Sequence, residues 1–230
     1  MGSLYKSEFV ECALGEVGYQ ADGKNNKYAA ELDSVDYFTG CGPKQGLDWC
    51  CVFVCWCAYK KIHPTPDKWA AHYFLYQSDS CDMAAVVKYA AQYYKDHNAY
   101  DTNTKYAAKG DQIFFKKSNG TLYHTGIVVD WDDSGIYTVE GNTNGGKVAK
   151  KFYKYSDSKI AGFGHPRFDS EASSKPVDNN DMYIKLAYRC INGDFGNGIT
   201  RKQKLNALGY GNIYNTVQNY VNMILRGQIK

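Results

Sequence analysis

Residues 49–59 read Trp49-Cys50-Cys51-Val52-Phe53-Val54-Cys55-Trp56-Cys57-Ala58-Tyr59. No charge interrupts these eleven positions, and Lys60-Lys61 follow. The run is long for a strand and apolar on every side. It predicts a helix buried all round, which the rest of the chain must cover in layers. Upstream, Gly40, Gly42, Pro43 and Gly46 mark Thr39–Gly46 as a loop. Downstream, His63-Pro64-Thr65-Pro66 breaks the pattern.

Outward from this run, apolar residues at 9, 10, 13, 14 and 17 predict a helix over 4–17, closed by Gly18. Residues 24–32 read as a second short helix, and Ser80–His97 as a long amphipathic one. From residue 110 the pattern changes from helices to strands. Strands are expected over 110–115, 123–130, 136–140, 147–155 and 160–168, with a turn at Asp132-Asp133-Ser134-Gly135. Helices followed by an antiparallel sheet give an α+β order. Residues 169–180 are polar and contain Pro176, as a linker does. Three short helices are expected beyond it, near 181–190, 199–208 and 213–226. The expected organisation is therefore 1–168, a linker at 169–180, and a small three-helix unit at 181–230.

The 230 residues carry a net charge of +3, too small for a nucleic-acid-binding arm. Residues 181–230 hold seven basic residues against two acidic ones, so the positive excess lies in the small unit. No apolar stretch approaches 18 residues, so no membrane insertion is expected. Met1–Lys6 lacks the apolar core of a secretory signal.

Eight cysteines stand at 12, 41, 50, 51, 55, 57, 81 and 190, four of them within eight residues. That crowding suits reduced, buried thiols rather than a disulfide framework. The order C-C-x-x-x-C-x-C lacks the paired knuckles of a structural zinc site, and no metal or cofactor is expected. One thiol is placed for chemistry. Cys50 opens the buried helix, where unpaired N–H groups and the positive dipole end favour a thiolate. A nucleophilic thiol needs a base, and His124 opens a strand whose next residues, Thr125-Gly126, are small. The imidazole in turn needs an orienting acceptor. Glu140 and Asn142 share parity with His124 on the following strand. A hairpin loop of three or five residues sets all three on one face, whereas an even loop does not.

The run 49–57 resembles the W-C-A-x-F-V-x-W-C pattern of CHAP domains (cysteine, histidine-dependent amidohydrolase/peptidase). Gly110-Asp111-Gln112-Ile113-Phe114-Phe115, His124-Thr125-Gly126-Ile127-Val128 and Tyr137-Thr138-Val139-Glu140-Gly141-Asn142-Thr143 are similar to that family's later strands. The resemblance covers roughly residues 5–168. It implies a papain-like α+β fold of the NlpC/P60–CHAP type and hydrolysis of an amide bond in bacterial peptidoglycan. Cys50 then matches the nucleophile, His124 the base, Glu140 the orienting acid and Asn142 an accessory polar position. Trp49 is taken as a substrate contact. Cys51 departs from the pattern, since the family usually has Ala there, and places a second thiol beside the first. Asp33-Ser34-Val35-Asp36 is too sparse in oxygens to predict calcium.

The last fifty residues resemble the CW-seven type wall-binding repeat. The match runs through Gly193-Asp194-Phe195-Gly196-Asn197-Gly198, Arg201-Lys202-Gln203-Lys204-Leu205, Gly209-Tyr210 and Val217–Leu225. The resemblance implies binding of peptidoglycan, with Phe195, Gly198, Arg201, Lys202 and Tyr210 as candidate ligand contacts. The combination is that of a phage or prophage endolysin, held in a host cytoplasm until release. Its bond is expected to be the N-acetylmuramoyl–L-alanine amide. A stem or crossbridge endopeptidase, and a wall-binding protein without catalysis, stay open.

Overall fold

A computed structural model of the chain describes residues 2–78, 83–170, 179–208 and 213–226. The chain divides into two compact units, Met1–Glu171 and Ala172–Lys230. The first begins with five helices: Lys6–Gly15 (α1), Lys27–Ser34 (α2), Cys50–Lys60 (α3), Lys68–Phe74 (α4) and Val87–Asp96 (α5). Six strands follow: Tyr100–Asp101 (β1), Gln112–Lys116 (β2), Leu122–Trp131 (β3), Gly135–Thr143 (β4), Lys147–Lys154 (β5) and Ile160–Gly164 (β6). They form one sheet in the order β1-β6-β2-β3-β4-β5, antiparallel at every pairing. This is the expected α+β layering of helices on an antiparallel sheet.

The buried run does form the central helix. Every residue from Cys50 to Tyr59 is buried, and Lys60 is the first to reach solvent. α3 packs on β3 and β4 on one side and on α1, α2 and α4 on the other. Val52, Phe53 and Val54 share a core with Ile127, Val129 and Val139 of the sheet. Each such side chain contributes about 1.5–3 kcal/mol by leaving water. The sheet buries a second apolar cluster of Ile113, Phe115, Val128, Ile136, Ile160 and Phe163.

The loop into α3 is tied down from α2. The Asp33 carboxylate accepts from the amides of Lys44 (2.8 Å) and Gln45 (3.0 Å). The Gln45 side chain pairs with the backbone N–H and C=O of Asn26, the residue that caps α2.

Three expectations are corrected. α4 was not expected, since two prolines precede it, yet Asp67 caps it by accepting from the amides of Trp69 and Ala70. α5 begins at Val87 rather than Ser80, because Met83–Val86 form a turn; residues 79–82 lie outside the described residues. β6 ends at Gly164, where His165-Pro166 removes the next ladder donor. The bulk of the expected linker, 171–178, also lies outside the described residues.

The second unit has Asn179–Ile191 (α6), Gly198–Asn206 (α7) and Tyr214–Leu225 (α8). α6 and α7 each pack on α8. Leu186, Ala187, Cys190, Phe195, Leu205, Val217 and Val221 make its small core.

Candidate active site

Cys50 is the first residue of α3, and Trp49 stands at its N-cap position with φ −122° and ψ 20°. The amide of Phe53 donates to the Trp49 carbonyl at 2.9 Å. The amides of Cys50, Cys51 and Val52 therefore sit in the first turn with no helical acceptor, pointing out of the helix end. The Trp49 indole is fully buried against Tyr28 (5.4 Å between ring centres) and Tyr19 (6.3 Å). It pins the end of the helix and offers no ring surface to a ligand, so the expectation of a substrate contact at Trp49 is corrected.

His124 lies on β3, and its Nε2 is 2.9 Å from Glu140 Oε2 on β4. Glu140 is 1% exposed, and its other oxygen accepts from the Thr138 hydroxyl at 2.6 Å. With Nε2 engaged, Nδ1 is the ring nitrogen left to face the thiol. Burial disfavours the imidazolium, but the neighbouring Cys50 thiol and the Glu140 carboxylate prevail and lift the His124 pKa to about 9. The Cys50 thiol moves the other way. Its largest influence is a hydrogen bond from the Cys51 side chain, opposed by burial and assisted by His124, and its pKa falls to about 5. Between those values the pair exists as thiolate and imidazolium.

The register that brings His124 to Glu140 was only partly foreseeable. Trp131 pairs with Ile136, so the hairpin loop has four residues, an even number. On that register alone the two side chains would lie on opposite faces. A β-bulge at Val129 shifts the pairing by one, and beyond it Ile127 faces Val139. Two glycines then let the parts close up. A Cβ on Gly126 would stand 2.5 Å from Glu140 Cγ, so its absence lets the carboxylate cross to His124. A Cβ on Gly141 would stand 2.6 Å from Phe53 Cβ and 2.8 Å from the Trp49 ring, so β4 presses directly on the first turn of α3.

Asn142 does not join this line. It has a left-handed φ of +55° at a break in the β4–β5 register, and its amide donates to Asp48 at 3.4 Å. Asp48 also pairs with Lys24 at 3.0 Å. The parity argument fails for Asn142 because the pleat ends before it. Sequence reasoning also missed Thr138, although its place two residues before Glu140 on the same face was the available signal. Tyr123, exposed and lying near-parallel to the His124 ring at 6.1 Å, was missed as well.

In the second unit the candidates separate. Phe195 is fully buried beneath the Arg189 guanidinium (5.0 Å) and belongs to the core, not to a ligand surface. Arg201 spends its guanidinium internally: it donates to the carbonyls of Gly196 (2.9 Å) and Cys190 (3.2 Å) and to the side chains of Gln218 and Asn197 (3.0 Å each). It clamps α6, α7 and α8 together. Gly198 starts α7 with a left-handed φ of +55°, and Lys202 is exposed. Tyr210 lies outside the described residues.

Comparison with known families agrees with this division. Residues 42–142 match the CHAP domain and residues 185–225 match the CW_7 repeat. No curated protein and no solved structure matches the chain. The first match spans Cys50, His124 and Glu140, and the second spans most of the three-helix unit. The chain thus carries a CHAP domain, the catalytic unit of peptidoglycan amidases and peptidases, together with a CW_7 cell-wall-binding repeat.

Proposed function

We propose that the chain is an N-acetylmuramoyl-L-alanine amidase that works through a thioester on Cys50. The observation that carries this reading is Cys50 at the N-terminus of a buried helix, its thiol lowered by Cys51 and His124, with the His124 ring held by Glu140 at 2.9 Å. The thiolate attacks the amide carbon, and the carbonyl electron pair moves onto oxygen. The Cys50 amide, free of a helical acceptor, is suited to hold that oxyanion. His124 then gives its proton to the departing nitrogen, and the C–N bond breaks to leave a thioester and a free amine. Water, deprotonated by His124, attacks the thioester and returns the thiol. Glu140 fixes the ring and supports its positive charge.

The choice of bond rests on Tyr123. An exposed aromatic face beside the base suits a sugar close to the scissile bond, which the muramoyl amide has and a stem or crossbridge peptide bond lacks. The polar sequence that precedes α6 serves as a tether. Holding a weak wall-binding unit near an insoluble polymer raises the local concentration of the catalytic unit without any new contact. A role as a phage or prophage lysin fits one catalytic unit joined to one wall-binding unit.

Digestion of purified peptidoglycan, with mass spectrometry of the products, tests the reading. New L-alanine amino ends and peptide-free glycan are expected from the native chain, and nothing from Cys50→Ala. Cleaved peptides still attached to sugar would make it an endopeptidase. No release from walls of any chemotype would leave only the binding role.

A further inference from the structure

A recess of about 490 Å³ opens on the first unit, lined by residues of α4 and its flanks, His97 and Arg167, and none of the groups of the active site. Its volume falls in the range of small-molecule sites. Trp69 and Tyr73, one helical turn apart on α4, are 45% and 42% exposed there. Both rings are already fixed. The Lys68 ammonium lies 4.7 Å from the Trp69 ring centre, and the His72 ring meets its edge at 5.4 Å. The Arg167 guanidinium lies on Tyr73 (4.4 Å) and Tyr76 (3.8 Å) and donates to the Tyr73 carbonyl at 2.9 Å. The His97 ring rests on Tyr76 with its Nδ1 held by the Tyr93 carbonyl at 2.8 Å, which turns Nε2 to the outside. Asp67 uses one oxygen, Oδ1, to cap α4.

We propose that this recess is a second, non-catalytic binding site for a β-1,4-linked N-acetylhexosamine segment, the glycan strand of the wall. Apolar faces of pyranose rings pack on exposed, rigid aromatic rings, and ordering such rings costs little further entropy. Hydroxyl and acetamido groups need donors and acceptors mixed at the rim. Arg167, His97 Nε2 and Asp67 Oδ2 supply them. The opposite charges of Asp67 and Arg167 favour a neutral polyhydroxyl ligand over an anionic wall polymer, which would meet the carboxylate. Tyr76 links the recess to the cluster that holds Cys50 and Cys51, so the site adjoins the catalytic helix through packed side chains. The identity of the ligand rests on the wall-hydrolase reading.

The test is titration of the full-length chain with chitotetraose, followed on the Trp69 indole N–H resonance assigned by Trp69→Phe. All four tryptophans lie at or before residue 131, so binding by the wall-binding repeat does not mimic the signal. A saturable shift at Trp69, weakened about tenfold or more in Tyr73→Ala, is expected. Arg167→Gln should weaken it as well, in a chain whose thermal unfolding confirms an intact fold. A Trp69 resonance unmoved by the sugar, or moved equally in Tyr73→Ala, overturns the proposal. Wall digestion by the same sample separates the two readings. Hydrolysis without a Trp69 shift removes this site alone, and a Trp69 shift without hydrolysis removes the hydrolase and keeps the sugar site.

Discussion

Cys50 and Cys57 stand two turns apart on one helix, are both buried, and behave as different chemical groups. At the first position the thiol is drawn down to about 5, by the side chain of Cys51 and then by His124. At the second, burial and the neighbouring thiol of Cys12 push it well above the ordinary range. Residue type and burial are the same. What differs is the Cys51 thiol beside it, the helix end with its unpaired amides, and the imidazole of His124 across the gap. On the proposed mechanism a buried cysteine serves as nucleophile by position and partner, while its neighbour seven residues on packs the core.

The largest effect should come from removing that position's thiol. Cys50→Ala is expected to cut wall hydrolysis by about 10⁴-fold or more. Cys57→Ala should keep most activity and lose roughly 1 kcal/mol of stability, read as a lower melting temperature. Next comes the partner. Glu140→Gln keeps shape but frees the imidazole to turn over, and a drop of about 10³–10⁴-fold in kcat is expected. Gly126→Ala should act on the same contact from the backbone. Its methyl would meet Glu140 Cγ at 2.5 Å and the Val139 carbonyl at 2.9 Å. A loss of roughly 1–3 kcal/mol, in stability and in His124 alignment together, follows from such overpacking.

The pH profile of kcat/KM should be a bell. Below about 5 Cys50 is protonated and cannot attack; above about 9 His124 has lost the proton it gives to the leaving nitrogen. Cys51→Ala removes the first influence that lowers Cys50, so the acid limb should move to higher pH while the alkaline limb stays near 9. Asn142→Ala should change least, within a few-fold, since Asn142 faces Asp48 and not the imidazole.

Much of the fold was legible because its decisive element is extreme. Ten consecutive buried residues leave no doubt about a central helix, and short β-branched and aromatic runs bounded by turns mark the strands that cover it. The site was legible in residue type but not in register. An even hairpin loop argues against pairing His124 with Glu140, and the bulge at Val129 that reverses this has no turn residue or glycine to announce it. Aromatic identity misled twice. Trp49 and Phe195 carry ring faces that suit a ligand, yet both are fully enclosed, since a large ring serves a small core equally well. Arg201 misled through charge, because the end of α6 and the turn that follows it leave carbonyls that an internal guanidinium can satisfy.

The rate of iodoacetamide labelling of Cys50 against pH, read peptide by peptide by mass spectrometry, tests the central claim most directly. The account predicts a half-maximal rate near pH 5 in the native chain, with Cys57 unlabelled throughout. In Glu140→Gln the Cys50 midpoint should move upward. Labelling of Cys50 that rises only near pH 9, as for an ordinary thiol, or that falls first on Cys51, would contradict the account.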